Sequence, residues 1–236
     1  MKKALALIII FCATSCAELQ TIVDSLPQNG VALTNDQIAG GLRQALDKGI
    51  DQQVSKLTQK NGFYRNELVK ILLPEELQKV DNALRKIGLG DLADEGLKLM
   101  NRAAEDAVKE ATPIFVNAVK EITFADARNI LLGADDAATN YLSYKTKGEL
   151  YTKFYPQIES SFAKVGADKI WENLIQRYNS IPLTENVNTN LTDYVTKEAL
   201  QGVYTMIAVE EKQIRTNINE RTTDLLKRVF ALQDGQ

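Results

Sequence analysis

The sequence contains no histidine among its 236 residues. Without histidine, the chain has no imidazole general base, no Ser–His or Cys–His nucleophile pair and no imidazole metal ligand. Ferritin-like di-iron sites are excluded as well, because they need Glu-x-x-His motifs. The glycine pairs Gly40-Gly41 and Gly88-Leu89-Gly90 have neither the spacing nor the flanking strand of a phosphate-binding loop. We therefore predict no catalytic residue, no metal and no cofactor from motif content.

Cysteine is almost as scarce, since the chain contains only Cys12 and Cys16. Structural zinc sites depend on Cys or His ligands, so this class of site is also excluded. If residues 1–15 are removed as a signal, Cys16 alone remains and no disulfide forms within the mature chain. Its stability must then come from a hydrophobic core, for which a hydrophobic content of 44% is sufficient at this length.

The first fifteen residues have the layout of a secretory signal peptide. Lys2 and Lys3 form a charged start, and a short apolar run follows over residues 4–13. That run is much shorter than the ~20 residues that a membrane-spanning helix needs. We therefore predict a signal peptide over residues 1–15.

The residues that follow the apolar run indicate a lipid anchor. Ala13-Thr14-Ser15-Cys16 resembles the lipobox of bacterial lipoproteins. The resemblance implies that the Cys16 sulfur receives a diacylglyceryl group, that the signal is cut off before it, and that the new amino terminus is acylated. Ala17 then favours the outer membrane, facing the periplasm. The alternative is an ordinary cleavage site beside an incidental cysteine. Residues 16–33, which include turn-forming Pro27-Gln28-Asn29-Gly30, are predicted to form a lipidated tether.

The charge balance of the chain is mildly acidic. The full sequence has a net charge of −3, and loss of Lys2 and Lys3 with the signal makes the mature chain more acidic by two charges. An acidic chain is not expected to bind nucleic acid non-specifically. The predicted partners are the membrane, through the anchor, and an envelope protein, a lipid or a peptidoglycan fragment.

Helical periodicity extends over residues 34–236, which we predict to form one all-α domain. Apolar residues recur at helical spacing, and no segment shows sustained two-residue alternation. We expect a bundle-like domain of about eight to ten short and medium helices with almost no strand.

Turn and capping residues predict where these helices begin and end. Gly62 is expected to end the first helix in a left-handed conformation, and Thr123-x-x-Asp126 forms a capping box. Asp135 or Asp136 is expected to cap the next helix. Thr146-x-x-Glu149 and Pro156 should divide the following region into short helices. A loop is expected over residues 179–191, followed by helices at about 196–216 and 220–232.

Two clusters of charged residues are the main candidates for a ligand site or for structural ion pairs. The first contains Asn101, Arg102 and Glu105, where Arg102 can pair with Glu105 at i+3. The second contains Glu210, Glu211, Arg215 and Arg221. Glu211 lies close to the predicted buried stripe of its helix and needs a partner, which is either Arg215 at i+4 or, alternatively, Arg221 or Arg102. The functional interpretation of the first cluster is that Arg102 binds an anionic group, and the structural one is an ion pair on or between helices. The functional interpretation of the second cluster is a carboxylate site for a divalent cation or for acid–base chemistry, and the structural one is a buried ion pair that fixes helix register.

A tyrosine-rich stretch is the third candidate. The segment over residues 141–155 contains Tyr141, Tyr144, Tyr151 and Tyr155. Such a stretch either lines a groove for a ligand or glycan, or forms a packing layer whose hydroxyl groups reach water. The two interpretations remain open at the level of sequence.

Several motifs in order along the chain resemble a known bacterial family, catalogued as domain of unknown function 4197. The resemblance covers roughly residues 35–232 and implies an exported helical protein with no assigned activity and no catalytic residues to carry over. The motifs are Asn101-Arg102-Ala103-Ala104-Glu105, Thr112-Pro113-Ile114-Phe115, Asp126-Ala127-Arg128-Asn129-Ile130-Leu131, Ala137-Ala138-Thr139-Asn140-Tyr141, Tyr194-Val195-Thr196, Ala199-Leu200, Glu210-Glu211-x-x-Ile214-Arg215 and Arg221-Thr222-Thr223-x-Leu225-Leu226-Lys227.

These observations favour a non-enzymatic envelope lipoprotein whose helical domain serves as a binding or scaffold module at the membrane surface. One alternative is an enzyme that uses carboxylates and arginine on an envelope component. That alternative requires two or more of Glu105, Glu210 and Glu211 to converge in one open pocket. Another alternative is a lipid carrier with a cavity between its helices.

Overall fold

The computed structural model describes residues 33–73, 90–167 and 190–234, together with positions 78, 82, 85, 86, 88, 169, 172, 176, 179 and 180. Residues 35–236 cluster as one compact unit. The predicted signal peptide and nearly all of the predicted tether lie outside the described residues. The helices within the described ranges are α1 (Asn35–Thr58), α2 (Gly90–Val108), α3 (Ala111–Lys120), α4 (Phe124–Leu131), α5 (Ala137–Ala163), α6 (Leu191–Thr216) and α7 (Asp224–Asp234).

The all-α prediction is confirmed. Residues 33–73, 90–167 and 190–234 contain seven α-helices and one short 3₁₀ helix, Ile218–Glu220, and none of the described residues lies in a strand. Seven is slightly fewer than the eight to ten helices that we predicted. None of the helices in these ranges is both long enough and apolar enough to cross a membrane.

The core of the domain is built around α6. This helix packs along α5 and also contacts α1 and α2, while α1 contacts α3, α4 and α7 on its other sides. Hydrogen bonds join Tyr151 to Asp193, Thr146 to Tyr204 and Thr139 to Glu211, so α5 and α6 are antiparallel. The largest fully buried side chains include Phe63, Phe115, Phe154 and Phe162.

Close helix contacts explain two glycines within helices. A Cβ on Gly41 of α1 would lie 2.6 Å from a methyl carbon of Val229 on α7, and one on Gly202 of α6 would lie 2.7 Å from the Phe63 ring. Real Cβ atoms do not approach other atoms so closely, so only glycine admits these contacts. The helical cost of each glycine is offset by the packing that it permits.

The end of α1 differs from the prediction at one residue. The left-handed residue is Asn61, with φ of 66°, and not Gly62. Asn adopts this conformation more readily than other non-glycine residues. Gly62 is required for a different reason, because a Cβ there would lie 2.4 Å from the Lys56 carbonyl oxygen. The segment that follows, residues 59–73, crosses to α2 and α6.

The boundaries of α3 and α4 follow from local sequence features, and the one at α4 was predicted. The chain leaves the helical conformation at residues 109–110, after the end of α2. The next helix, α3, then begins with Pro113 in its first turn, where proline is tolerated. Thr123 and Asp126 form the predicted reciprocal capping box at the start of α4. The backbone N–H of each residue donates to the side chain of the other.

The predicted short helices around Thr146 and Pro156 are wrong, because α5 is one 27-residue helix that contains Pro156. The Thr146 hydroxyl does not cap a helix and instead donates to the Leu142 carbonyl oxygen at 2.6 Å. Pro156 is exposed, whereas Phe154 and Ile158 on either side of it are fully buried. Burial of this continuing stripe offsets the ~3 kcal/mol that an interior proline costs.

The beginning of α6 also lies earlier than predicted. Asn190 is its N-cap and accepts a hydrogen bond from the Asp193 backbone N–H at 2.9 Å, so the helix starts at Leu191 and not near residue 196. The predicted loop over residues 179–191 lies mostly outside the described residues. The last helix runs over Asp224–Asp234, close to the predicted 220–232.

Candidate functional site

The Glu211 carboxylate caps the amino terminus of α5 from another helix. Its two oxygens accept hydrogen bonds from the backbone N–H groups of Ala138 and Thr139 and from the Thr139 hydroxyl, each at 2.8 Å. These N–H groups belong to the first turn of α5, which has no partner for them within the helix. Asp136 occupies the N-cap position but makes no side-chain cap bond, so the expected capping by aspartate is wrong. The negative charge of Glu211 also suits the positive end of the helix dipole.

Arg215 joins Glu211 to the carboxyl end of α4. Its Nη2 atom lies 2.8 Å from Glu211 Oε1, and both side chains are almost completely buried. The guanidinium also donates to the carbonyl oxygens of Ile130 at 2.7 Å and Leu131 at 3.1 Å. These carbonyls end α4 and lack intrahelical donors. A single buried ion pair on α6 therefore holds the ends of two other helices.

Arg221 binds the backbone carbonyl groups at the carboxyl end of α6 itself. It donates to the carbonyl oxygens of Ile214 at 3.0 Å and Arg215 at 2.8 Å, and it pairs with the Asp234 carboxylate at the end of α7. The hydrogen bond from Arg221 holds the pKa of Asp234 below its usual value. Gln233 accepts from Arg215, so α7 is tied to this network at two positions. We refer to Glu211, Arg215, Arg221, Gln233 and Asp234 as the helix-end network.

Glu210, the neighbour of Glu211, points away from this network. Its Oε2 atom accepts a hydrogen bond of 2.6 Å from Gln53 Nε2 on α1. Gln53 is 1% exposed, and its own Oε1 atom has no hydrogen-bond partner. A Cβ on Gly49, one turn earlier on α1, would lie 3.0 Å from Glu210 Cγ. Glu210 therefore belongs to the α1–α6 contact.

Asn101 of α2 binds the loop that precedes it in the chain. Its side-chain oxygen accepts from the Ile71 N–H at 2.8 Å, and its amide nitrogen donates to the carbonyl oxygens of Ile71 at 2.8 Å and Leu97 at 2.7 Å. Asn101 is completely buried, so these bonds satisfy backbone groups that water cannot reach. The residue anchors the loop of residues 59–73 on α2.

Glu105, one turn further along α2, is also buried and binds the same loop. Its carboxylate accepts from the Phe63 backbone N–H at 3.3 Å and from Arg102 at 3.2 Å. The Arg102 side chain is 51% exposed, whereas Glu105 is 2% exposed. The predicted i,i+3 pair between Arg102 and Glu105 is present. Its buried member, Glu105, also accepts a hydrogen bond from the backbone of the 59–73 loop.

The tyrosines of α5 do not share one surface groove. Tyr151 donates to Asp193 at 2.7 Å, and the Tyr155 oxygen accepts from Asn190 at 3.0 Å, so both hold the amino end of α6. The bond to Asp193 raises the pKa of Tyr151 to about 12. Tyr144 is 87% exposed, and the buried Tyr141 hydroxyl lacks a hydrogen-bond partner.

An open groove of about 460 Å³ lies between the first half of α5 and the second half of α6. Sequence reasoning missed this groove, because it is formed by two segments more than fifty residues apart that meet only in the folded structure. Of the predicted tyrosines none lines it, and the aromatic residue in its wall is Tyr204. The lining residues with a hydroxyl or carboxamide group are Thr139, Asn140, Ser143, Gln201, Tyr204 and Thr205.

The described residues contain no group of three or more Cys, Asp or Glu side chains placed to hold a metal ion. Glu105, Glu210 and Glu211 each face a different neighbour, namely the 59–73 loop, α1 and the end of α5. The chemistry that these carboxylates perform in the structure is the acceptance of hydrogen bonds from buried donors.

Comparison with known proteins places the chain in a family. Residues 32–231 match the model of a family described as "Protein of unknown function (DUF4197)". Neither the curated proteins nor the solved structures contain a significant match. Since the family model covers most of the chain, the protein belongs to the DUF4197 family.

Proposed function

We propose that this DUF4197 protein is an envelope lipoprotein, anchored through Cys16 in the outer membrane and facing the periplasm. Its helical domain is proposed to act as a non-enzymatic binding or scaffold module. The signal-like residues 1–15 and the lipobox-like Ala13-Thr14-Ser15-Cys16 support the anchor. Two or more acyl chains on one cysteine would attach the domain stably, whereas one chain binds a bilayer only marginally.

The observation that carries the non-enzymatic part is the engagement of the buried carboxylates with helix ends and loops. Glu211 accepts from two backbone N–H groups of α5, the Thr139 hydroxyl and Arg215, which leaves little capacity for a substrate. A general acid or base has to reach the proton that it transfers. Glu105 and Glu211 are almost completely buried, so they are poorly placed to meet an external molecule.

The two alternative functions receive less support. The enzyme hypothesis needs two or more carboxylates that converge in an open pocket, and Glu105, Glu210 and Glu211 face different neighbours. The carrier hypothesis needs a large apolar cavity. Within the described part of the chain, one small cavity beside Glu211 and Phe230 has only about 20 Å³, which is roughly the room for one water molecule.

The anchor is tested by metabolic labelling of the full chain with an alkyne-bearing fatty acid in a bacterial host. We expect the label on the wild-type chain and its complete loss in Cys16→Ser. Cys12→Ser is the matched control. Cys12 is the other cysteine of the chain and lies within the proposed signal, so its removal should leave the label in place. Density-gradient separation of the membranes should then find the labelled chain with the outer membrane. A label that persists in Cys16→Ser would contradict the proposal.

The carrier alternative is tested separately by native mass spectrometry of the gently extracted chain. We expect a mass that corresponds to the acylated protein alone. A second, non-covalent lipid that survives delipidation would instead favour a carrier.

A further inference from the structure

Two lysines lie against the ring of Tyr64, where the 59–73 loop meets α2. The Lys70 Nζ atom is 4.6 Å from the centroid of this ring, and the Lys98 Nζ atom is 5.8 Å from it. A cation within about 6 Å of an aromatic ring is attracted to its face, so Tyr64 holds both ammonium groups in one place. Tyr64 and Lys70 are partly exposed and Lys98 is exposed, so a ligand in solution can reach both charges.

These two positive charges have no counter-ion of their own. Among the described residues neither lysine forms an ion pair, although the exposed Glu95 lies three residues before Lys98. The nearby Asp94 carboxylate is already bound by Arg85 at 2.6 Å. The hydrogen bond from Arg85 lowers the pKa of Asp94, and the charges of Lys98 and Lys70 lower it further, as expected for two cations in one small region. Like charges that are held together repel each other, so this region favours an added anion.

Two further hydrogen-bond donors border the lysine pair. Arg102 lies one helical turn after Lys98 on α2, and its side chain is 51% exposed. It donates to Glu105 at 3.2 Å, and a guanidinium has five N–H donors, so others remain for a ligand. The Tyr64 hydroxyl makes no hydrogen bond to another described residue and can donate one. We refer to Tyr64, Lys70, Lys98 and Arg102 as the loop–α2 cluster.

The loop that carries half of this cluster is fixed on α2 by buried hydrogen bonds. Asn101 binds both the N–H and the carbonyl oxygen of Ile71, the residue after Lys70. Glu105 accepts from the backbone N–H of Phe63, on the other side of the cluster. The loop backbone is therefore held in place before a ligand arrives, which lowers the entropic cost of binding.

We propose that the loop–α2 cluster binds the phosphate group of a phosphate monoester. Such a group carries a charge of about −1.5 to −2 at neutral pH and has three strong acceptor oxygens. It can therefore take hydrogen bonds from two ammonium groups and a further donor at once, whereas a carboxylate has one charge and two oxygens. A free phosphate ester and the headgroup of phosphatidic acid share this chemistry. The site does not depend on the Cys16 anchor, so the two proposals fail or stand separately.

The test is isothermal titration calorimetry of the full chain in a non-ionic detergent, with glycerol 3-phosphate as the probe and sodium chloride to keep the ionic strength constant. We expect saturable binding of this probe and none of glycerol, its neutral analogue. Lys70→Ala and Lys98→Ala should each weaken the affinity about fivefold, the effect of one lost exposed ion pair. Lys153→Ala, which removes an exposed lysine of α5, is the matched control and should bind as the wild-type chain does. Absence of binding to a folded, helical chain, or equal affinity in all three variants, would overturn the proposal.

Titration with dihexanoyl phosphatidic acid distinguishes a lipid headgroup from a free phosphate ester. Leu68 and Leu72 are 63% and 50% exposed on the same loop and would contact the acyl chains. Tighter binding of the lipid than of glycerol 3-phosphate, with the difference lost in Leu68→Ser, would support the site as a lipid headgroup site. Equal affinities would support it as a site for free phosphate esters. In either case Lys98→Ala should bind the lipid more weakly, and unchanged lipid affinity in that variant would overturn the proposal.

Discussion

The two ends of α6 are held by interactions with very different exposure to water. At the carboxyl end, Glu211 and Arg215 pair at 2.8 Å with side chains that are 5% and 6% exposed. At the amino end, Asp193 accepts from Tyr151 and from Lys197, whose side chain is 64% exposed. Water can replace a lost partner at the amino end but not at the carboxyl end. The comparison teaches that similar polar contacts on one helix should differ several-fold in their contribution to stability.

The buried end also binds more of the molecule. Glu211 and Arg215 satisfy backbone groups of α5 and α4, and Arg221 ties α7 to the end of α6. The amino end of α6 is joined to α5 through Tyr151 and Tyr155, and to the 59–73 loop through the Tyr194 hydroxyl, which donates to the Leu72 carbonyl oxygen at 2.7 Å. Loss of one member of the helix-end network should therefore affect several helices together, whereas loss of a tyrosine hydroxyl should have a local effect.

Glu211→Ala is expected to cause the largest change. It leaves Arg215 buried without its counter-ion and the first turn of α5 without an acceptor, so we expect a loss of about 3–5 kcal/mol in the free energy of unfolding. Urea denaturation followed by circular dichroism measures this. Glu159→Ala is the matched control on the exposed face of α5 and should change the value by less than about 0.5 kcal/mol. If Glu211→Ala and Glu159→Ala lowered the free energy of unfolding equally, the buried contacts of Glu211 would contribute no more to stability than an exposed side chain.

Arg215→Lys sharpens the comparison because it keeps the charge and removes the planar fork. Lysine can still pair with Glu211, but it cannot also reach the Ile130 carbonyl and Gln233. We expect a loss of about 2 kcal/mol, the value of roughly two buried hydrogen bonds. Lys197→Arg, the reverse exchange at the exposed amino end of α6, should be nearly neutral in the same denaturation experiment. If Arg215→Lys left the free energy of unfolding unchanged, the positive charge alone would be enough to hold the helix-end network.

The sequence predicted the pairs that lie within one helix but not the contacts between helices. Glu211 and Arg215 are four residues apart, and local geometry is enough to bring them together. Their backbone partners in α4 and α5 depend on where two helix ends meet in space, and no local pattern encodes that. The groove was missed for the same reason, since Asn140 and Gln201 face each other only after α5 and α6 have packed.

The error in α5 has a different physical origin. Thr146 and Pro156 are genuine local signals for helix ends, and they were outweighed by the buried stripe that includes Leu150, Phe154 and Ile158. The same stripe explains why the four tyrosines of α5 differ in exposure and in hydrogen-bond partners. Because the buried positions recur every four residues, the buried face rotates along the helix. Tyr144 and Tyr151 therefore meet different surroundings although their spacing places them on one side.

Tyr151→Phe is expected to have the smallest effect and tests the exposed end. It removes one half-exposed hydrogen bond, so we expect a loss of about 0.5–1 kcal/mol at neutral pH. The bond to Asp193 stabilises the neutral phenol and raises its pKa from 10.0 to about 12. The contribution is therefore fully present below the unfolded-state pKa and is lost as the pH rises towards 12. Absorbance titration of the phenols should lose the tyrosine that titrates at about 12 in this variant. Tyr144→Phe, at an 87% exposed position, is the control and should retain that tyrosine and the full stability.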